Sequence, residues 1–512
     1  MEQKENDRVF TEEERQRVIE LIARAEQEFR MKNVTHAQSD IMAILMDLKA
    51  EENYSWDDKG NGKLFADIFR EKCRYNVTAK EWYVYNGKNW EEDTEGMAVS
   101  KCAKRLSIEL YSYSFTLEDE KKANEYRKHI SKLGQLKYRE TMIKDARDSY
   151  FVKADDFDKD PYLFNCQNGT MNLKTMEFQP HNAYDMLSKI SNVFYDPDAV
   201  SEDFLKFILE VLQEQSEKIE YVQRLLGYAL SGDTSEETAY LLYGPTTRNG
   251  KGTLLETYAH MLGGSEGYAM TINPESLSQR KVKDGRQASG DIARLKGCRF
   301  LNMSEPPEGM IFDAALLKTL LGRDTITARH LMQREFEYKP CFKLFINTNH
   351  LPRVIDDSLF TSGRLNVITF DRHFEPEEQD KHLKDKLKTR ENISGLFNWC
   401  LEGLKRFYIE GGKPPSPVAA ATSQYQTDSD KIGLFITDCL EVSKRNTKGS
   451  DVYLKYQSWC KESGQYPEGK SRFFHSLKSR GMLAEHGTVN GVNYKNVVIG
   501  YEIQFEPTDE EW

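Results

Sequence analysis

The apolar positions of this chain change period several times along its length, and those changes divide it. Residues 11–50 repeat at helical spacing: Val18, Ile19, Leu21, Ile22 and Ala25 form one stripe, a second run covers 39–48, and charged residues fill the opposite face. A polar loop at 56–62 precedes a helix expected over 63–72. Strand-like residues follow at Arg74-Tyr75 and 81–85, and Asn86-Gly87 beyond them is the strongest short hairpin signal. Trp82 and Trp90 are expected to pack this hairpin onto neighbouring helices, with base stacking as the alternative. Residues 96–150 are helical again and rich in Lys and Arg, but acids interleave with them, which favours a solvated face over a DNA groove.

From Phe157 the texture changes to strand–turn–strand, with Asn168-Gly169 at the turn. Helices are expected at 201–214 and 217–230. Apolar strands then alternate with amphipathic helices to about residue 375, the pattern of a mostly parallel sheet. Residues 376–410 read as a charged helical tail. Lys413-Pro414-Pro415-Ser416-Pro417 reads as a linker, and 431–506 as three helices followed by strands around 489–504, a winged-helix arrangement.

Composition narrows the classes. A chain of 512 residues has room for roughly three or four domains. With 39% hydrophobic and 30% charged residues it reads as globular, and no apolar run approaches the roughly 20 residues of a membrane span. The opening MEQKENDRVF is charged, unlike a secretory signal. Eight cysteines stand singly without a Cys-x-x-Cys pair, which argues for a reducing cytoplasm and against zinc or a disulfide framework. The net charge of −11 argues against a nucleic-acid partner, but charges are screened beyond about 8 Å, so a basic channel can sit inside an acidic shell.

The stretch 239–258 concentrates the chemistry. A buried strand (Tyr240–Tyr243 in its centre) breaks at Gly244-Pro245, passes Asn249, and reaches Gly250-Lys251-Gly252-Thr253 before helical spacing resumes at Leu254, Leu255, Tyr258 and Met261. Strand, glycine-bearing loop with lysine, then helix is the order of a phosphate-binding P-loop: backbone N–H groups face the phosphates and lysine neutralises them. Two departures stand out. Five residues rather than four separate Gly244 from Gly250, and Gly252 replaces the hydroxyl residue that holds Mg²⁺, with Thr253 one step later. An ordinary glycine-rich turn is the bland alternative.

Further residues belong to the same chemistry. The strand-like run 299–304 ends at Glu305, placed to order a metal or activate water at the C-terminal end of a parallel strand, with Glu308 as the alternative. The run 342–347 ends at Thr348-Asn349-His350, where Asn349 can sense a γ-phosphate. Arg364, before the strand 366–370, can reach out of its own subunit towards a neighbour's nucleotide.

Four elements in this order resemble the superfamily 3 helicases, specifically the phage and plasmid primase-helicases related to the poxvirus uncoating NTPase. The resemblance extends to Trp82–Trp90, to Asn168-Gly169-Thr170, to Gly227–Gly232, to Leu320–Asp324 and Thr327–Leu331, and to Asn347–Pro352. It implies an α/β fold: a P-loop AAA+-like ATPase core (233–412), a mainly helical N-terminal domain for oligomerisation or partner binding (1–155), a connecting α+β region (156–232), a linker (413–430) and a C-terminal winged-helix domain (431–512).

The resemblance further implies a homohexameric ring in the cytoplasm of a bacterial host, moving 3′ to 5′ on single-stranded DNA and opening forked duplex DNA, with ATP and Mg²⁺ as cofactors. Gly244, Asn249, Gly250, Lys251, Gly252 and Thr253 would bind ATP, Thr253 and Glu305 would hold the metal, and Glu305, Asn349 and Arg364 would be catalytic. Arg329-His330 occupies the place of a pore hairpin that grips DNA, a surface hairpin being the alternative. A separate primase or initiator is a possible partner, and residues 1–150 show no paired-acid primase site, so no primer synthesis is expected. Two other functions compete: a phosphotransferase of nucleoside-monophosphate-kinase type, suggested by Gly-Lys-Gly-Thr, and a non-catalytic origin-binding initiator. The latter would use the basic helix bearing Lys470, Arg472, His475, Lys478 and Arg480, which a solvated face explains equally well.

Overall fold

The computed structural model describes residues 41–279, 290–329, 335–463 and 466–504. Most of the helical pattern expected over 11–50 lies outside these residues; its end forms α1 (Ile41–Leu48). Next comes α2 (Asp58–Ile68), which starts inside the segment read as a loop. Asp57 caps it by accepting from Gly60 N–H at 2.8 Å. Gly60 and Gly62 are there for close packing rather than turning, because a Cβ on Gly60 would lie 1.8 Å from the Ser55 carbonyl oxygen and one on Gly62 2.5 Å from an Asp145 carboxylate oxygen.

Strands β1 (Cys73–Asn76), β2 (Glu81–Tyr85), β3 (Trp90–Asp93) and β4 (Phe151–Val152) form a sheet in the order β3-β2-β1-β4. Helices α3 (Met97–Tyr113), α4 (Glu120–Ser131) and α5 (Leu136–Asp145) complete this unit. Trp82 packs with Phe65 of α2, as expected. Trp90 turns instead towards Val152, Phe157 and Ala183, and its indole N–H donates to the Ala183 carbonyl at 2.8 Å. Both indoles are buried, which removes them from base stacking.

The antiparallel hairpin β5 (Leu163–Cys166), β6 (Gly169–Asn172) and β7 (Glu177–Gln179) leads to α6 (Glu202–Val211) and α7 (Ser216–Leu230). The central sheet then assembles from β8 (Ala239–Tyr243), β9 (Ala269–Ile272), β10 (Phe300–Ser304), β13 (Lys343–Thr348) and β14 (Leu365–Thr369), with α8 (Lys251–Met261) after β8 and α9 (Ala314–Leu321) after β10. Its order is β14-β8-β13-β10-β9, every pairing parallel. The short hairpin β11 (Ile326–Ala328) and β12 (Phe336–Tyr338) sits between α9 and β13.

Alternate residues of each central strand feed two cores. Tyr240, Leu242, Phe300, Phe345 and Ile368 join a cluster with α6, α7, α8 and α10 (Arg390–Glu410). Leu241, Leu301, Ile346 and Val367 join a second one on the other face. Burial on both faces is why these strands read as continuous apolar runs. Far from being a charged tail, α10 is a core helix: a Cβ on Gly403 would lie 2.0 Å from the Gln223 carbonyl oxygen of α7. The segment read as a linker is likewise helical, as α11 (Ser416–Ser429), with Val418 and Tyr425 buried against the sheet. Pro417 falls in its first turn, where the missing N–H is harmless, and an alanine run follows. The C-terminal region has three helices, α12 (Lys431–Cys439), α13 (Gly449–Glu462) and α14 (Lys470–Ser479), and antiparallel strands including β15 (Leu483–Val489) and β16 (Val492–Val498), around a core of its own.

Candidate phosphate site at the C-terminal ends of the central strands

Strand β8 delivers the chain into a loop too tight for side chains at two points. A Cβ on Gly244 would lie 2.1 Å from Asn249 Nδ2 and 2.7 Å from the Phe370 carbonyl oxygen. Gly250, the residue before α8, has φ +82° and faces Val211, whose Cγ1 would be 2.3 Å from an added Cβ. Asn249 is buried and ties the loop to itself, its Nδ2 donating to the Thr246 carbonyl at 2.8 Å. No side chain caps α8, so its first N–H groups open onto this loop at the positive end of the helix dipole.

Lys251 is 3% exposed. Its ammonium donates to the Gly244 carbonyl at 3.1 Å and to Asn349 Oδ1 at 2.8 Å. Burial pushes its pKa down to about 8, and the Glu305 carboxylate acts in the opposite direction. A cation desolvated to this degree favours the arrival of an anion. Glu305 is the first residue after β10, is exposed, and takes a left-handed backbone at φ 53°. Its N–H donates to the Asn347 carbonyl at 2.9 Å, which locks the end of β10 to β13. Lys251, Asn349 and Glu305 thus stand at the ends of three strands adjacent in the sheet, β8, β13 and β10.

Gly252 is exposed, and the nearest atom to an added Cβ is Asn347 Nδ2 at 3.8 Å, so the missing side chain leaves open space. Thr253 is half-buried one step along the helix. The Thr253 hydroxyl and Glu305 carboxylate are a donor set that suits Mg²⁺, which keeps several waters and takes one or two protein carboxylates alongside phosphate oxygens.

The lengthened loop is also held from outside. Arg248 adopts φ 58°, and its carbonyl accepts from Phe374 N–H at 3.0 Å. Its guanidinium donates to Gln379 Oε1, and His373 Nδ1 lies 2.8 Å from the Thr247 carbonyl. The segment after β14 therefore straps the loop.

Arg364 lies elsewhere. It precedes β14 and is paired with Glu237, at the N-terminal edge of the sheet. Strand β8 separates that edge from the loop by five residues, about 16 Å. Arg329 follows β11 and approaches Glu335 at 3.9 Å; its expected companion His330 lies outside the described residues.

Residues 62–213 match the family described as D5 N terminal like, 242–364 a family of unknown function, and 427–500 Poxvirus D5 protein-like. Among curated proteins, the chain is 27% identical over 431 residues to "Putative helicase L207/L206" of Acanthamoeba polyphaga mimivirus, covering 76% of this chain and 44% of that protein. It is 26% identical over 289 residues to "Putative helicase 022R" of Frog virus 3, covering 52% and 28%. These matches support a superfamily 3 helicase/primase family. It spans less than half the length of these two relatives. Its mixed α/β fold is similar to the apo structure of the NrS-1 C-terminal region, at a TM-score of 0.50 and 11% identity, covering 86% of this chain and 99% of that one.

The sequence pattern did not single out Asn347, His373 and Gln379, which the fold brings to the loop. Asn347 was visible only as strand, and nothing local links 373–379 to a loop more than 120 residues earlier. Arg248 carried a signal only as part of a loop with five residues rather than four between Gly244 and Gly250. Among the described residues no helix is long and apolar enough to cross a membrane.

Proposed function

We propose that this chain is an ATP-driven DNA helicase of viral or mobile-element replication, built on a P-loop AAA+-like core. The convergence of Lys251, Asn349 and Glu305 at the ends of β8, β13 and β10 carries the reading. Lys251 and the N–H groups of Gly250, Gly252 and Thr253 hold the phosphates. Asn349 couples the γ-phosphate position to β13, and Glu305 orients the attacking water. Thr253 and Glu305 are the residues that would hold Mg²⁺, which when bound neutralises charge on the phosphate oxygens.

Arg364 completes a neighbouring protomer's site rather than its own. Its place at the opposite edge of the sheet supports action in trans, and that in turn supports a closed ring, read here as a hexamer. A single-chain phosphotransferase has no use for an arginine held so far from its own lysine. Arg329 with His330 grips single-stranded DNA from a hairpin, phosphate contact being indifferent to sequence as a motor requires. Translocation 3′ to 5′ and the bacterial host follow from the family resemblance, although the named relatives are from viruses of an amoeba and a frog. The C-terminal region is proposed as a winged-helix domain. Over 431–504 eleven Lys and Arg stand against seven Asp and Glu, in a chain of net charge −11.

The test is unwinding of a forked duplex. ATP-dependent strand separation by the wild type, lost in Lys251→Ala, is expected; ATP hydrolysis with no strand separation overturns the motor.

A further inference from the structure

The N-terminal edge of the central sheet carries a charge cluster that the phosphate loop does not use. Glu237, two residues before β8, has a left-handed backbone at φ 50° and a carboxylate shared by two arginines. Its Oε2 accepts from Arg364 Nη2 at 2.7 Å, and its Oε1 lies 3.9 Å from Arg323 Nε. The backbone on either side is fixed: Thr238 Oγ1 donates to the Gly363 carbonyl at 3.0 Å, and Ala239 N–H to the Arg364 carbonyl at 2.8 Å.

The two arginines are held unequally. Arg364 also donates through Nη1 to the Lys318 carbonyl at 3.3 Å, and its side chain is 20% exposed. The Arg323 side chain is 60% exposed, and its contact with Glu237 is long. If Arg364 turns outward to a phosphate, the Glu237 carboxylate, 33% exposed, loses its close partner. Arg323 already stands beside it, and a carboxylate offers acceptor sites on both oxygens.

We propose that Glu237 is a positioning residue for Arg364. It holds the guanidinium at the sheet edge until a neighbouring copy of this chain presents a nucleotide phosphate, and it passes to Arg323 when Arg364 leaves. This rests on the reading of Arg364 as acting in trans. Glu237 then competes with the neighbour's phosphate for Arg364, whereas Arg323 competes with Arg364 for Glu237. Removing the two must therefore act in opposite directions, which a merely structural role does not do.

The experiment is ATP hydrolysis by the full chain as a function of protomer concentration. Glu237→Gln is expected to lower the half-saturating concentration and Arg323→Gln to raise it, each roughly two- to fivefold, the range of one partly exposed charge pair. Shifts in the same direction, or no shift in Glu237→Gln, overturn the proposal. Thermal melting accompanies both variants; if Glu237→Gln does not fold, Arg323→Gln decides alone, and a fall or no change overturns. Arg364→Ala that hydrolyses ATP normally would instead remove the trans-arginine reading on which this rests.

Discussion

The ammonium of Lys251 donates to the side-chain oxygen of Asn349 at 2.8 Å, joining the first residue of α8 to the end of β13. Burial holds that ammonium at a pKa of about 8. Above this pH the lysine is neutral and has no charge to offer a phosphate, so binding must draw a proton onto it. Nucleotide affinity is expected to fall as pH rises through about 8. Calorimetry in buffers of different ionisation enthalpy is expected to register net proton uptake on ATP binding near that pH. Affinity that stays flat from pH 7 to 9 would contradict the assignment.

Two asparagines at the end of β13 separate by role. Asn349 touches the lysine, whereas Asn347 faces Gly252. Asn349→Ala is expected to lower kcat by about 10²-fold, the effect of removing one pre-placed polar group from a charged transition state. Asn347→Ala is expected to weaken the Mg²⁺ dependence of hydrolysis more than kcat, because it faces Gly252, the residue before Thr253. Steady-state rates across a Mg²⁺ titration distinguish the two.

Arg364 and Lys251 belong to opposite edges of one sheet and, on the proposed reading, to different active sites. Arg364→Ala is expected to retain ATP binding and lose about 10³-fold in turnover. Mixed with Lys251→Ala, it is expected to regain part of the rate, since some interfaces then pair an intact lysine with an intact arginine. Absence of any recovery in mixtures that do exchange protomers would argue for action within one chain.

At the base of the sheet, Lys343 is buried beneath the end of α7, donating to the carbonyls of Ser231 and, at 2.9 Å, Asp233. Arg299 beside it donates to Leu230 and Leu163 carbonyls at 2.7 Å each. Cations suit a helix C-terminus, but burial pushes Lys343 down to about 7. Its pKa is thus lower folded than unfolded, so between about 7 and 10.4 the unfolded chain binds more protons. Stability is expected to rise with pH across that window, and to be lost as pH falls through about 7, with a slope of up to about 1.4 kcal/mol per pH unit. Chemical denaturation at several pH values measures it, and Lys343→Met is expected to flatten the slope.

The central strands were legible because both of their faces are buried, which leaves uninterrupted apolar runs such as Tyr240–Tyr243. The site was legible where its residues end those strands: Glu305 and Asn349 each follow a strand directly, and Lys251 follows the glycine-bearing loop after β8. Other elements hid their purpose. Gly60, Asn61 and Gly62 look like a turn, but lie inside α2 because that helix packs against Ser55 and Asp145 more closely than a side chain permits. The apolar stripe of α10 (Ile393, Phe397, Cys400 and Leu404) is interrupted by charges facing solvent, and the prolines before α11 masked Val418 and Tyr425. The strap of His373 and Gln379 on the loop is a tertiary contact with no local pattern to announce it.

Three glycines of the loop look alike in sequence, but their surroundings differ, and substitution separates them. Gly244 and Gly250 have no room: an added Cβ meets atoms at 2.1 Å and 2.3 Å, and Gly250 is also left-handed. Alanine at either is expected to destroy nucleotide binding and lower the melting temperature, because the loop must move. Gly252 has open space, its nearest neighbour at 3.8 Å being an amide nitrogen. Gly252→Ala is therefore expected to fold normally and bind nucleotide, gaining a few tenths of a kcal/mol or more from helix propensity in the first turn of α8. Gly252→Ser adds a hydroxyl on the Asn347 side, and the Mg²⁺ concentration for half-maximal hydrolysis is expected to fall. If Ser and Ala behave identically in that titration, the metal lies away from Gly252, and Thr253 with Glu305 is its only support on this helix and strand.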